Sequence, residues 1–266
     1  MPSYLIVGAS RGLGYQWLQT LSLNPSNTTI GLARAPSSVL SRLTKDKISN
    51  IHLLPGDISS HASMLSAASS ASRLLPNGLD YLIINAAYKS DALGPLPPTA
   101  LAKSLSLQED MHQSLNVNIL GTMYALDAFL PLVREGAVKK VVVVSSGRAD
   151  CDFVLKGNDP LMFTYSVMKA ALNMVVAKYA AELKSDDIAI LALSPGLVNT
   201  KETQPTEEEI EAYQGQVELF RGLFPKWRGT PMTTEESVEA QIKVIESVGI
   251  EDTGRFLSHW GNKEWL

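Results

Sequence analysis

A chain of 266 residues with 45% hydrophobic and 19% charged residues has the composition of a soluble globular protein, and it is long enough to bury one substantial core. A formal net charge of −4 argues against general affinity for nucleic acid or for an anionic membrane. The one cysteine, Cys151, can form no internal disulfide, which fits a reducing, cytoplasmic setting.

The N-terminal stretch MPSYLIVGASRGLG has no basic region ahead of its apolar residues, so it reads as a strand rather than a signal peptide. No continuous apolar run approaches the ~20 residues that cross a bilayer. His52, His61, His112 and His259 show no metal-ligand spacing, and no metal site is expected. Strands are expected at Tyr4–Val7, Thr28–Ala33, Ile51–Leu54, Leu79–Asn85, Val138–Ser145, Ile188–Leu193 and Arg255–Ser258. Continuous apolar runs such as Val141 to Val144 suit a parallel sheet covered on both faces. Helical spacing falls at Gly12–Leu23, Ser59–Leu75, Ser106–Arg134, Leu161–Lys184 and Glu235–Val248. Alternation of this kind predicts one α/β domain over residues 1–266, a doubly wound parallel sheet of seven strands with helices on both faces.

Two segments break the rhythm. Ala86–Ser104 is proline-rich and long for a loop. The stretch 199–230 carries the acidic run Glu207–Glu209 and then Tyr213, Phe220, Phe224 and Trp227. It reads equally as a lid over a pocket and as a surface helix whose aromatic stripe packs on the domain.

Gly8-Ala9-Ser10-Arg11-Gly12-Leu13-Gly14 follows the first strand and opens the first helix. Glycines there permit a tight turn and let a phosphate approach the backbone, and the helix N-terminus offers free N–H groups to a pyrophosphate. The Gly-x-x-x-Gly-x-Gly spacing differs from the Gly-x-Gly-x-x-Gly of many dinucleotide sites.

With that spacing, the chain resembles the short-chain dehydrogenase/reductase family over nearly its whole length. Gly8, Gly12 and Gly14 match the family glycines, with Val7 where threonine is usual. Asp57 matches an aspartate that touches adenine, and Asn85 and Ala86 match two positions of the Asn-Asn-Ala-Gly segment. Asn118 in "NVNILG", Ser146 in "VVVVSSG", and Tyr165 and Lys169 in "YSVMK" match the catalytic positions. Pro195-Gly196-Leu197-Val198-Asn199-Thr200 resembles the segment bordering the nicotinamide, and the ending GRFLSHWGNKEWL resembles the sniffer and C-factor branch of carbonyl reductases. The resemblance implies a Rossmann fold and a cofactor site of Gly8, Ser10, Arg11, Gly12, Leu13, Gly14, Arg34, Asp57, Ile58, Asn85, Ala86, Lys169, Pro195, Gly196, Val198 and Thr200. It also implies a cytoplasmic oxidoreductase acting on a small-molecule carbonyl compound.

The residue types fit that chemistry. A spacing of four puts Tyr165 and Lys169 on one helix face. Carbonyl reduction delivers hydride to carbon and a proton to oxygen, and a phenol of ordinary pKa ~10 is protonated at neutral pH. An ammonium nearby favours the phenolate, and a serine hydroxyl can hold the substrate oxygen. Ser145 is the registration rival of Ser146. By the resemblance, Lys169 also grips the nicotinamide ribose and Asn118 helps hold a water-linked proton relay.

The second strand ends "TIGLARAP", with Ala33 where an acidic residue would accept the ribose hydroxyls, and Arg34 after it. Arg34 and Arg11 favour a phosphorylated ribose, so NADP(H) is expected over NAD(H). The connection from Ser146 to Tyr165 is long, and with the aromatic stripe it points to an apolar or aromatic carbonyl substrate. Alcohol oxidation, cofactor binding without turnover, and a scaffold redirected to cyclisation or isomerisation stay open as alternatives. Homodimers or homotetramers through the faces of 106–134 and 161–184 are also open.

Overall fold

A computed structural model describes residues 1–200, 217, 218 and 220–266. The strands are β1 (Ser3–Val7), β2 (Thr28–Ala33), β3 (Ile51–Pro55), β4 (Tyr81–Ile84), β5 (Lys140–Val144), β6 (Ala189–Ser194) and β7 (Phe256–Ser258). They form one parallel sheet in the order β3-β2-β1-β4-β5-β6-β7. The helices are α1 (Gly12–Ser22), α2 (Pro36–Lys45), α3 (His61–Ser72), α4 (Pro98–Leu101), α5 (Leu107–Ser114), α6 (Gly121–Glu135), α7 (Cys151–Lys156), α8 (Phe163–Leu183) and α9 (Thr234–Ser247). A π-helical turn over Leu115–Leu120 joins α5 to α6, so the expected single helix is continuous but locally widened and underwound. By length and composition Leu107–Glu135 could cross a bilayer, but its apolar window is 56% buried inside the fold.

Side-chain alternation in the strands assigns each row to one layer. Ile6, Ile83, Val142 and Leu191 lie in register across four strands and pack against α1, α2 and α9. Val7, Ile84, Val143 and Ala192, one residue on, face α3, α6 and α8. The doubly wound sheet therefore has a core on each face. Helix α2 carries no counterpart among the expected elements. Only Val39 and Leu43, one turn apart, are buried on it, too few for the periodicity to register.

Strand order reverses between β1 and β4, so the connections after them leave in opposite directions and open a crevice at the strand ends. Beyond β7, His259 is 2% exposed and its imidazole lies against Gly196. Burial, helped by the nearby Arg228 charge, pushes its pKa down from 6.5 to about 4. The unfolded chain then binds the extra proton between those values, so stability is full above about pH 6.5 and falls as pH drops towards 4. The loss attributable to this group is up to about 3 kcal/mol. Melting curves of wild type and His259→Phe across that window check it, and the variant should show the shallower fall.

Candidate active site

The glycine turn and the loop after β4 are built as one unit. Gly8 N and Ala9 N both donate to the Leu32 carbonyl, at 3.1 and 2.9 Å. Asn85 N and Ala86 N donate to the Val7 carbonyl, and the Asn85 side-chain amide donates to the Gly8 carbonyl at 3.0 Å. Gly8 has φ +87°, and a β-carbon on Gly14 would lie 2.0 Å from the Gly8 oxygen. Both glycines are therefore required, one by conformation and one by close approach. Leu13 is buried beneath the turn while Ser10 and Arg11 are exposed on it.

The other expected cofactor residues surround this turn. Thr200 lies within van der Waals reach of Gly12, and Val198 pairs with Met232 in an isolated bridge. Ser237 donates to the Pro195 carbonyl at 2.7 Å. Asp57, after β3, accepts from Ser59 N and Ser59 Oγ at 3.0 and 2.7 Å, and with the charge of Arg34 these bonds hold its carboxyl below the usual range. Ile58 is buried against the start of α6. Arg34 is exposed just beyond β2, on the strand next to the glycine turn. The residue list from the sequence missed Arg42. Its guanidinium lies 3.9 Å from the Tyr15 ring centre and donates to the Ser10 carbonyl at 3.2 Å. An arginine in the last turn of a polar helix carries no motif that would single it out.

Across the crevice, β5 delivers two serines with different fates. Ser145 is 1% exposed, with its hydroxyl 2.6 Å from Asn173 Oδ1. Ser146 Oγ instead accepts from Arg148 N at 3.3 Å, and its hydroxyl favours ionisation of the Tyr165 phenol. The Ser145 hydroxyl is thus taken up by Asn173, whereas Ser146 is the serine that bears on the phenol. Burial pushes the Tyr165 phenol up, while the Ser146 bond and the positive charge of Arg148 oppose the rise. Lys169, one turn along α8, is 2% exposed; burial lowers its pKa to about 8. Its ammonium donates to the Val144 carbonyl at 2.5 Å and stands 5.7 Å from the centre of the Tyr165 ring.

Asn118 sits in the π-helical turn, 1% exposed. Its amide oxygen accepts from Tyr88 N at 2.8 Å, and its amide nitrogen donates to the Tyr88 carbonyl at 2.9 Å. Tyr88 OH in turn donates to the buried Asp110 at 3.1 Å. Asn118 thus fastens the loop after β4 beside the crevice. The stripe of aromatic residues is mostly spent on itself. Phe220 is 2% exposed among Phe153, Phe224, Trp227 and Trp265. Trp265 also closes over Gly147, the residue after Ser146. The expected lid over 199–230, including Tyr213 and Glu207–Glu209, lies largely outside the described residues.

A family model for short chain dehydrogenases matches residues 3–211. The chain is a short-chain dehydrogenase/reductase. Over the full length of both chains, this dehydrogenase/reductase is 41% identical to the short-chain dehydrogenase/reductase AacuF of Aspergillus aculeatus. It is 36% identical to the short-chain dehydrogenase/reductase atnB of an Arthrinium species, again over both whole chains. Among solved structures it is similar to an NADPH-bound carbonyl reductase from chicken fatty liver, with a TM-score of 0.77, 23% identity and 98% of each chain covered. The carbonyl reductase Sniffer of D. melanogaster gives the same TM-score and coverage at 20% identity. At these identities the structural likeness speaks for the short-chain dehydrogenase/reductase fold alone.

Proposed function

We propose that this oxidoreductase reduces a ketone or aldehyde with NADPH. Bound NADPH would supply hydride to the carbonyl carbon, and the phenol proton of Tyr165 would pass to the carbonyl oxygen, giving an alcohol and NADP⁺. Ser146 holds that oxygen, Lys169 orients the cofactor ribose, and Asn118 holds the water-linked path that returns a proton. The observation that carries the reading is the buried ammonium of Lys169 5.7 Å from the centre of the Tyr165 ring one turn away on α8, with Ser146 bearing on the same phenol. Support for the phosphorylated cofactor comes from Arg11, Arg34 and Arg42 around the ends of β1 and β2, with Ala33 where a carboxylate would repel a phosphate. The chicken carbonyl reductase was solved with NADPH bound, which agrees.

An apolar or aromatic substrate retains support from Phe224 and Trp227, which stay partly exposed, and loses that of the buried Phe220. Self-association through α6 and α8 is supported by exposed Met123, Val167 and Met174. The cofactor assignment is tested by Arg34→Asp. Titration of tryptophan fluorescence should show NADPH weakened by about 10-fold or more, a charge reversal at a phosphate contact, with NADH little changed. Equal weakening of both cofactors would overturn the assignment.

A further inference from the structure

The segment joining Ser146 to Tyr165 contains an ion pair that neither the cofactor nor the hydroxyl chemistry accounts for. Arg148 stands in the short helical turn Gly147–Ala149 directly after Ser146, and its backbone N–H donates to the Ser146 hydroxyl. Its guanidinium crosses the connection to the carboxylate of Asp159 and also donates to the Leu161 carbonyl at 3.5 Å. The pair is largely withdrawn from solvent, with side-chain exposures of 19% for Arg148 and 4% for Asp159. Asp159 Oδ1 accepts from Leu161 N at 3.2 Å, so the carboxylate holds the chain just before α8. The next residue, Met162, is left-handed at φ 59° and is tied to the loop after β4 through a 2.8 Å bond from its N–H to the Gly94 carbonyl. Tyr165 follows one turn later.

We propose that Arg148, anchored by Asp159, is a positioning residue that sets the Ser146–Tyr165 hydroxyl pair and presents a fixed positive charge to it. This rests on Tyr165 being the proton donor. A buried pair is costly to assemble, and its use here is to fasten the two ends of a long connection, one end carrying each hydroxyl. Other titratable groups stand on the elements around this connection. Lys169 lies on α8 with its ammonium 5.7 Å from the centre of the Tyr165 ring, Ser146 follows β5, and Tyr88, on the loop after β4, donates to Asp110 on α5. On the side of the C-terminal tail, the Lys263 ammonium lies over the rings of Phe256 and Trp265. Of the Arg148–Asp159 pair, the guanidinium acts on the Tyr165 phenol, in the direction that favours phenolate.

The test reads Tyr165 directly and needs no substrate. Tyrosinate absorbance is titrated with NADP⁺ bound, for each protein minus its Tyr165→Phe counterpart, with circular dichroism recorded alongside. Arg148→Met should raise the Tyr165 midpoint by about one pH unit, and Arg148→Lys should restore part of the shift. Asp159→Asn keeps a hydrogen-bond acceptor but removes the opposing charge, so it should lower the midpoint. A midpoint unchanged in folded Arg148→Met, or moved the same way by Asp159→Asn, would overturn the proposal, because a mechanical staple alone predicts no opposite signs. Turnover of para-nitrobenzaldehyde or menadione by Tyr165→Phe itself would instead overturn the underlying reading of Tyr165.

Discussion

Replacing Tyr165 by Phe is expected to lower turnover by about 10³-fold while leaving NADPH affinity within a few-fold of wild type. The substitution removes one oxygen from a ring that keeps its place on α8 above Lys169. The glycine turn, Asn85 and Thr200, which shape the cofactor crevice, do not touch that oxygen and should be unaffected. In the proposed mechanism what is lost is the phenol proton, so hydride transfer would leave an alkoxide without its proton. Stopped-flow measurement of NADPH oxidation against the same carbonyl probes, beside fluorescence titration of NADPH, separates the two effects. Undiminished turnover would remove Tyr165 from the mechanism.

Lys169→Met should abolish activity by about 10²-fold or more and yet leave the apo protein as stable as wild type or more so. The reason lies in where the sequence puts the charge. Lys169 is 2% exposed, no carboxylate among the described residues offsets its desolvation, and burial lowers its pKa from 10.5 to about 8. Holding that ammonium inside at neutral pH costs about 3 kcal/mol, offset in part by the bond to Val144 worth about 1–3 kcal/mol. Methionine removes the cost and fills nearly the same volume. The sign follows from proton binding. Between pH 8 and 10.5 the unfolded chain holds the proton more tightly, so wild-type stability gains from this group as pH rises through that window. The difference between wild type and variant in denaturant titrations at pH 7 and at the upper edge of the window should therefore shrink. A variant destabilised equally at both would show that Lys169 is held for packing, not kept charged at a cost.

That trade of stability for function marks a position where local rules and global need disagree. A lysine four residues after a tyrosine on an apolar helix is visible in the sequence, and so is the conflict with the buried neighbours Met168 and Leu172. Several other features were equally local. Seven apolar runs placed the strands to within one residue at each end for five of them and within two for the others, because a buried parallel strand must be apolar on both faces. The longer expected runs Leu79–Asn85 and Val138–Ser145 shrank to β4 and β5; at their N-terminal ends Leu79 N turns to the Leu132 carbonyl of α6 and Val138 N to the Asp80 carboxylate instead of a neighbouring strand. The glycine turn was legible because its conformation and close contacts admit nothing larger.

Length and composition, the strand and helix alternation, the glycine turn and the Tyr165–Lys169 spacing were thus determined by the sequence alone. Each depends on residues within a few positions of one another, where backbone geometry translates spacing directly into facing. The tertiary structure alone decided the matters set by distant partners. The Ser145 hydroxyl is withdrawn because Asn173, on a later helix, takes it. The aromatic stripe became a small core because Phe153 and Trp265, far along the chain on either side, arrive at the same place. Arg42 reached Ser10, and Arg148 reached Asp159, across gaps that no periodicity records. A side chain's partner depends on packing between elements, and packing is a property of the folded sheet and its helices, not of any window of sequence.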